Sequence, residues 1–185
     1  MGEMKDRMLR GDLYRLDGDP DLRADLDRCA ELVCEYNETR GADQGRRPEI
    51  LAKLLGAVGE HTWVLPPIHL NYGYQTTIGS RTFINIGVVI LDVATVTIGD
   101  DVRMGPNVQL LTPTHPLDPA VRHTGLQSGE PIIIGDGAWL GGGAIVCPGV
   151  TIGVDAVIGA GSVVTQDIPD RVLAAGNPCR VIRPL

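Results

Sequence analysis

The sequence predicts a mainly β fold in which very short parallel strands wind into a solenoid, with a small α-helical unit in front of it. Three observations carry this expectation. Every sixth residue from position 134 to 164 is aliphatic: Ile134, Leu140, Val146, Ile152, Ile158 and Val164. A period of six is neither the 3.6 of a helix nor the alternation of a long strand. Glycine follows four of those six positions (Gly135, Gly141, Gly153, Gly159), where 24 glycines in 185 residues would place about one by chance. Glycine permits the tight corners such strands need. The residue four after each tooth is small or β-branched (Ala138, Ala144, Val150, Ala156, Ser162), as a narrow interior requires. The same teeth recur upstream as Ile78, Ile84, Ile90 and Val96, then resume two residues out of phase as Ile98, Met104 and Leu110, so the repeat runs nearly over residues 78–167. A β-sandwich is the alternative, but its strands recur at wider and less regular spacing.

Residues 3–10 read as a short charged helix closed by Gly11, with Leu13 and Tyr14 pinning it to the body. A second helix should start at Asp19-Pro20, with an aspartate cap, proline in the first turn and Asp21 favouring the helix N-terminus. It should run to about Asn37, because Leu22, Leu26, Cys29, Ala30, Val33 and Cys34 recur at steps of three and four and make one apolar face. A basic, polar link over 40–47 leads to Pro48 and a further amphipathic stretch over 50–58, closed by Gly59. Residues 1–60 thus form a helical unit too small for a core of its own, which must pack on the solenoid or on a neighbouring subunit. Residues 61–185 hold the solenoid. One interruption, 111–131, contains Leu111-Thr112-Pro113-Thr114-His115-Pro116-Leu117-Asp118-Pro119 and continues through Gly125 and Gly129 to Pro131, so it must leave the solenoid as a loop. Loops of that length in compact domains are usually functional. The tail, 170–185, concentrates positive charge.

Composition narrows the function. Hydrophobic residues make up 43% of the chain and aromatics only 4%, which suits aliphatic ladders in a thin solenoid. The net charge of −7 disfavours nonspecific nucleic-acid binding, so an anionic ligand would need a local basic patch. Cys29, Cys34, Cys147 and Cys179 form no Cys-x-x-Cys pair and no metal-ligand spacing, and read as reduced thiols. No apolar run is long enough to span a membrane, and the charged first residues lack a signal peptide's apolar centre, so a cytoplasmic protein is expected.

The residues also carry a resemblance. The opening Met8-Leu9-Arg10-Gly11-Asp12-Leu13-Tyr14, then Tyr36-Asn37, Phe83-Ile84-Asn85, Leu91-Asp92-Val93, Thr114-His115-Pro116, Pro148-Gly149-Val150-Thr151-Ile152-Gly153 and Gly176-Asn177-Pro178 resemble the maltose and galactoside O-acetyltransferases. These form a branch of the hexapeptide-repeat acyltransferases, and the match covers almost the whole chain. The resemblance implies a left-handed parallel β-helix, although parallel crossovers are otherwise nearly always right-handed. It also implies a homotrimer in which acetyl-CoA and a sugar meet in clefts between subunits.

His115 is the expected catalytic residue. Alone it would read as a histidine structuring a proline-rich loop; within Thr-His-Pro, the resemblance makes it the general base that takes the acceptor hydroxyl's proton. His61, His69 and His123 match no such motif. The resemblance places Asn71, Asn85 and Asp92 at the acceptor, with Asp17 as a further candidate from the helical unit. Galactoside enzymes have Ser at the position of Asn71 and Tyr at that of Phe83. Arg180 and Arg183 are the expected partners of the CoA phosphates. Gly142, Ala160 and Thr165 fall at contacts to the pantetheine arm and thioester, Gly142 offering a backbone N–H to an oxyanion. Trp139 either lines that channel or packs at a subunit boundary. Gln127 and Glu130 stand where maltose-type relatives tend to show Glu and a basic residue, which removes a carboxylate from the neighbourhood of the histidine. Two other readings compete: a zinc enzyme resembling the γ-type carbonic anhydrases, with His69, His115 and His123 as the available ligands, and a noncatalytic trimeric β-helix module.

Overall fold

The six-residue repeat folds as a three-sided prism. The computed structural model describes residues 2–185, the side chain of Gln44 excepted. Each coil gives one strand of two to four residues to each of three parallel faces. The first face stacks Ala57–Val58, Thr76–Ile78, Val96–Ile98, Ile132–Ile134 and Thr151–Ile152. The second stacks Trp63–Val64, Phe83–Ile84, Arg103–Met104, Trp139–Leu140, Val157–Ile158 and Val172–Ala175, and the third Ile68–Leu70, Val88–Leu91, Gln109–Leu111, Ile145–Val146 and Val163–Val164. A final strand, Arg180–Pro184, returns antiparallel along Val172–Ala175.

The comb is the interior. All six teeth from Ile134 to Val164 end a strand and are at most 1% exposed. The small residues that follow them, Ala138, Ala144, Val150, Ala156 and Ser162, are buried at the corners. Stacking is in register, Ile98 on Ile134 on Ile152 along the first face. Each fully buried aliphatic side chain contributes roughly 1.5–3 kcal/mol. Corner glycines keep coils this close: a Cβ on Gly141 would stand 2.5 Å from the Ala160 nitrogen of the next coil.

The phase slip in the comb has a simple origin. Val96 and Ile98 both face inward from one strand, with Thr97 pointing out between them. The two additional residues sit just before it, at the corner from the third face back to the first, hereafter the third corner. Tooth spacing lengthens there in each of the first three coils, between Leu70 and Ile78, Ile90 and Ile98, and Leu110 and Ile134. All inserted chain therefore collects along one edge of the prism.

The helical unit comprises α1 (Glu3–Leu9), α2 (Pro20–Asn37), a 3-10 turn (Gly41–Arg46) and α3 (Arg47–Leu54). The Asp19 carboxylate caps two helices at once. Its Oδ1 accepts from Asp21 N and Leu22 N of α2, and its Oδ2 from Met4 N and Lys5 N of α1. The stretch expected as helix over 50–58 needs correction. Helix α3 starts earlier, with Pro48 in its first turn, and stops at Leu54. Ala57–Val58 is already solenoid, paired with Thr77 and Ile78, so the solenoid begins before residue 61. Gly56 allows the switch: a Cβ there would lie 2.5 Å from the Tyr74 carbonyl oxygen.

The unit packs on the first coil of its own chain. Cys29, Tyr36, Leu51 and Leu54 belong to the same apolar core as the comb. The Tyr36 hydroxyl donates to Val64 O at 2.7 Å. Asn37 treats Ile68 as a neighbouring strand would: its Oδ1 accepts from Ile68 N at 2.9 Å and its Nδ2 donates to Ile68 O at 2.8 Å.

Candidate active site

The third corner carries the loop. After Thr112 the chain leaves the prism as a two-stranded leg, Pro113–Thr114 antiparallel to Ser128–Gly129, tipped by a short helix α4 (Pro119–Arg122) that Asp118 caps. The leg is rooted by Thr112, whose buried hydroxyl donates to Leu91 O and accepts from Ala94 N at 3.0 Å. It is tied across by the Thr114 and Ser128 hydroxyls, 2.7 Å apart. His115 follows directly, exposed, and its imidazole makes no hydrogen bond among the described residues. Proline on both sides of Thr114-His115 and the pinned leg give a mobile side chain a fixed backbone.

Asp92 organises the same corner from inside. Its Oδ1 accepts from Asn71 N at 3.1 Å and Tyr72 N at 2.9 Å, and its Oδ2 accepts from the Thr76 hydroxyl at 3.0 Å. Gln75 Nε2 donates to Val93 O at 2.8 Å beside it. Burial dominates its ionisation: desolvation pushes Asp92 up to about 6, although the bonds from Tyr72 and Thr76 act the other way. Asp92 is 0% exposed in the single chain, and both its oxygens accept hydrogen bonds. Its carboxylate holds the turn that presents Asn71. Asn71 is half-buried, with a side chain that makes no hydrogen bond among the described residues. Thr165 is exposed at the same corner, lower in the stack, and Asp17 is exposed in the turn before α2.

The remaining candidates lie elsewhere. Asn85, Gly142 and Ala160 stack at the corner between the second and third faces, hereafter the second corner. Asn85 Oδ1 accepts from Ile86 N at 2.8 Å, which leaves its Nδ2 as a donor. The Gly142 N–H has no partner among the described residues, while its carbonyl accepts from Gly161 N. A Cβ on Gly142 would press on the Pro106 ring at 3.2 Å. Arg180 and Arg183 stand exposed on the last strand, at the edge of the second face, on which Trp139 is 55% exposed. One chain thus groups Asn71, Asp92, His115 and Thr165 at one corner, and Asn85, Gly142 and Ala160 at another.

Sequence reading missed a tyrosine network behind the loop. Tyr14 N donates to Gln127 O and Gln127 N to Tyr14 O, both at 2.9 Å, and Gln127 Nε2 donates to the Tyr14 hydroxyl at 2.8 Å. Tyr14 and Tyr72 pack in one cluster, and desolvation chiefly raises both pKa values, so both stay protonated. The Tyr72 and Tyr74 rings are 5.8 Å apart, Tyr74 donates to Asp25 at 3.0 Å, and Lys5 pairs with Asp25 at 2.7 Å. The signal was present: four of the seven aromatic residues are tyrosines, and three of them converge here.

A cavity of about 530 Å³ lies away from both corners, between α3 and the first coil, lined by Tyr36, Arg47, Pro48, Leu51 and Trp63. Among the described residues of the single chain, no three His, Cys, Asp or Glu side chains converge as metal ligands. The four cysteines are free thiols, and burial pushes Cys29 up to about 12. Among the described residues, no helix is long and apolar enough to cross a membrane.

Comparison with known proteins agrees with this geometry. Residues 131–166 match the hexapeptide repeat of succinyl-transferase, and residues 7–59 match the maltose acetyltransferase hexapeptide capping motif. Coils built of six-residue repeats and closed at one end by that helical unit define a hexapeptide-repeat acetyltransferase. The galactoside O-acetyltransferase of Escherichia coli K12 is 41% identical over 182 residues, covering 97% of this chain and 88% of its own. A crystal structure of a maltose O-acetyltransferase from Clostridium difficile 630 superposes with a TM-score of 0.96 at 43% identity, over 98% of this chain and 97% of that one. A galactoside acetyltransferase in complex with coenzyme A superposes at 0.93 and 40% identity, over 98% and 90%. The chain belongs to the maltose and galactoside O-acetyltransferase family.

Proposed function

We propose that this chain transfers the acetyl group of acetyl-CoA to a hydroxyl of a sugar, of maltose/glucose or galactoside type, by direct attack, with His115 as general base. The observation that carries this reading is the exposed, unpartnered imidazole of His115 on a backbone pinned at the third corner. The similarity to a galactoside acetyltransferase in complex with coenzyme A supports the donor. In the step itself the acceptor oxygen bonds to the acetyl carbonyl carbon while its proton passes to His115. The carbon–sulfur bond then breaks, and the departing CoA sulfur takes that proton. Imidazole suits both transfers near neutral pH, and such a base typically contributes about 10²–10⁴-fold.

The other groups follow from their places. Asn71, Asp92 and Asp17 serve to orient a sugar, Asn85 Nδ2 offers a donor, and the Gly142 N–H can receive the developing oxyanion. Ala160 and Thr165 leave room for the pantetheine arm, and Arg180 and Arg183 supply charge for the CoA phosphates. Because the second and third corners are different edges of one prism, the reading includes a homotrimer that sets the third corner of one subunit against the second corner of the next. A donor held inside cells assigns the reaction to the cytoplasm.

The test is CoA release from acetyl-CoA against a panel of glucosides, galactosides and maltose, with aminoglycoside controls, for wild type and His115→Ala. Sugar-dependent release that falls by about 10²-fold or more in the variant supports the reading. Release unchanged by the substitution removes His115 from its role, and no release with any sugar removes the acceptor class.

A further inference from the structure

We infer that Tyr14, in the helical unit, is a positioning residue for His115 and acts through Gln127. The inference rests on the general-base reading of His115.

The geometry is a chain of short links. The leg pairs Pro113 with Gly129 and Thr114 with Ser128, so one register step further the two strands reach His115 and Gln127. At that point the leg has no further ladder of its own. Gln127 is held from the other side by Tyr14, through two backbone hydrogen bonds and one from its side-chain amide to the tyrosine hydroxyl. Tyr14 is itself buried: it is 0% exposed and packs with Met8, Leu22, Tyr72 and Val93. Tyr72 is fixed in turn at the Asp92 corner. The strand opposite the base is therefore clamped to the helical unit and to the corner that presents Asn71.

The amide chemistry adds a direction. Gln127 Nε2 donates to the Tyr14 hydroxyl, which leaves Oε1 available as an acceptor on the residue one register step across from His115. An acceptor there favours the imidazole tautomer whose other nitrogen is bare, which is the form a general base needs. On reaching the imidazole in the substrate complex, such an amide would orient it without the charge that stabilises imidazolium.

The experiment is a cycle on the purified full chain with acetyl-CoA and the best sugar of the panel. Tyr14→Phe removes one oxygen and keeps the ring, and Gln127→Leu removes the amide. Each is expected to lower kcat roughly 3–10-fold, the factor equivalent to one net hydrogen bond, with KM for acetyl-CoA unchanged. The double variant is expected to match the single ones, and Tyr14→Phe added to His115→Ala is expected to cause no further loss. A wild-type kcat in Tyr14→Phe, losses that multiply in the double variant, or a further loss on the His115→Ala background would overturn the assignment. Should Tyr14→Phe lower the melting midpoint markedly, Gln127→Leu, whose partner stays packed, carries the same kcat and KM comparison. Failure of the base reading is visible separately, as full activity in His115→Ala with Tyr14 intact.

Discussion

Two buried carboxylates show how differently one residue type is used. Asp19 loses solvation, which by itself would raise its pKa, but backbone N–H groups of Leu22, Lys5, Asp21 and Met4 outweigh that loss and hold it below the ordinary value. A depressed pKa contributes stability above the unfolded value, about 4, which is lost as pH falls through the folded value. Asp19→Asn should therefore melt below wild type at pH 7, and the two should converge in acid. Asp92 has the opposite sign. Its pKa is raised to about 6, so its stabilising contribution is complete below about pH 4 and disappears as pH rises through 6. Asp92→Asn keeps an oxygen for the Asn71 and Tyr72 amides and has no proton to lose, so wild type should lose melting temperature relative to this variant between pH 4 and 7. Asp92 was legible through its motif, but its bonds to the Asn71 and Tyr72 amides were not, because residue type does not say which backbone groups a corner side chain meets. His115 was legible through its motif, whereas Tyr14 and Gln127, 113 positions apart, meet only in the folded chain.

At the scale of elements, the teeth carry the fold. Leu140 is fully buried between Met104 and Ile158, and Leu140→Ala should cost roughly 2–5 kcal/mol, read from denaturant unfolding. This part was readable because a period of six constrains every sixth residue. The two-residue slip was readable as a slip but not as a place, since either flank of Val96 could have absorbed it until stacking located the additional residues at the third corner. Ala57–Val58 was unreadable for a related reason. Two residues contain no period, and only pairing with Thr77 and Ile78 makes them a strand. The helices were better marked, Asp19-Pro20 giving the start of α2 to the residue.

The whole molecule separates its candidate groups onto two edges, which makes a quantitative expectation possible. On the trimeric reading proposed above, His115→Ala disables the third corner and Asn85→Ala the second, so mixed trimers would contain intact junctions between unlike subunits. Unfolding and refolding the two inactive variants together should restore about a quarter of wild-type turnover, the chance that both edges of one junction are intact. A site built within one chain would restore none. Periodicity alone says nothing of assembly, because a prism's outward faces are not marked by the comb. The Asn37 amide on Ile68 has a further consequence. A stack of parallel coils has no natural end, and its first rung is a template for another chain's backbone. One side-chain amide and one tyrosine hydroxyl occupy the rung where a foreign strand would dock. A chain shortened to begin at Ala57 should therefore polymerise end to end into cross-β filaments that bind thioflavin, making the helical unit the molecule's guard against unlimited growth.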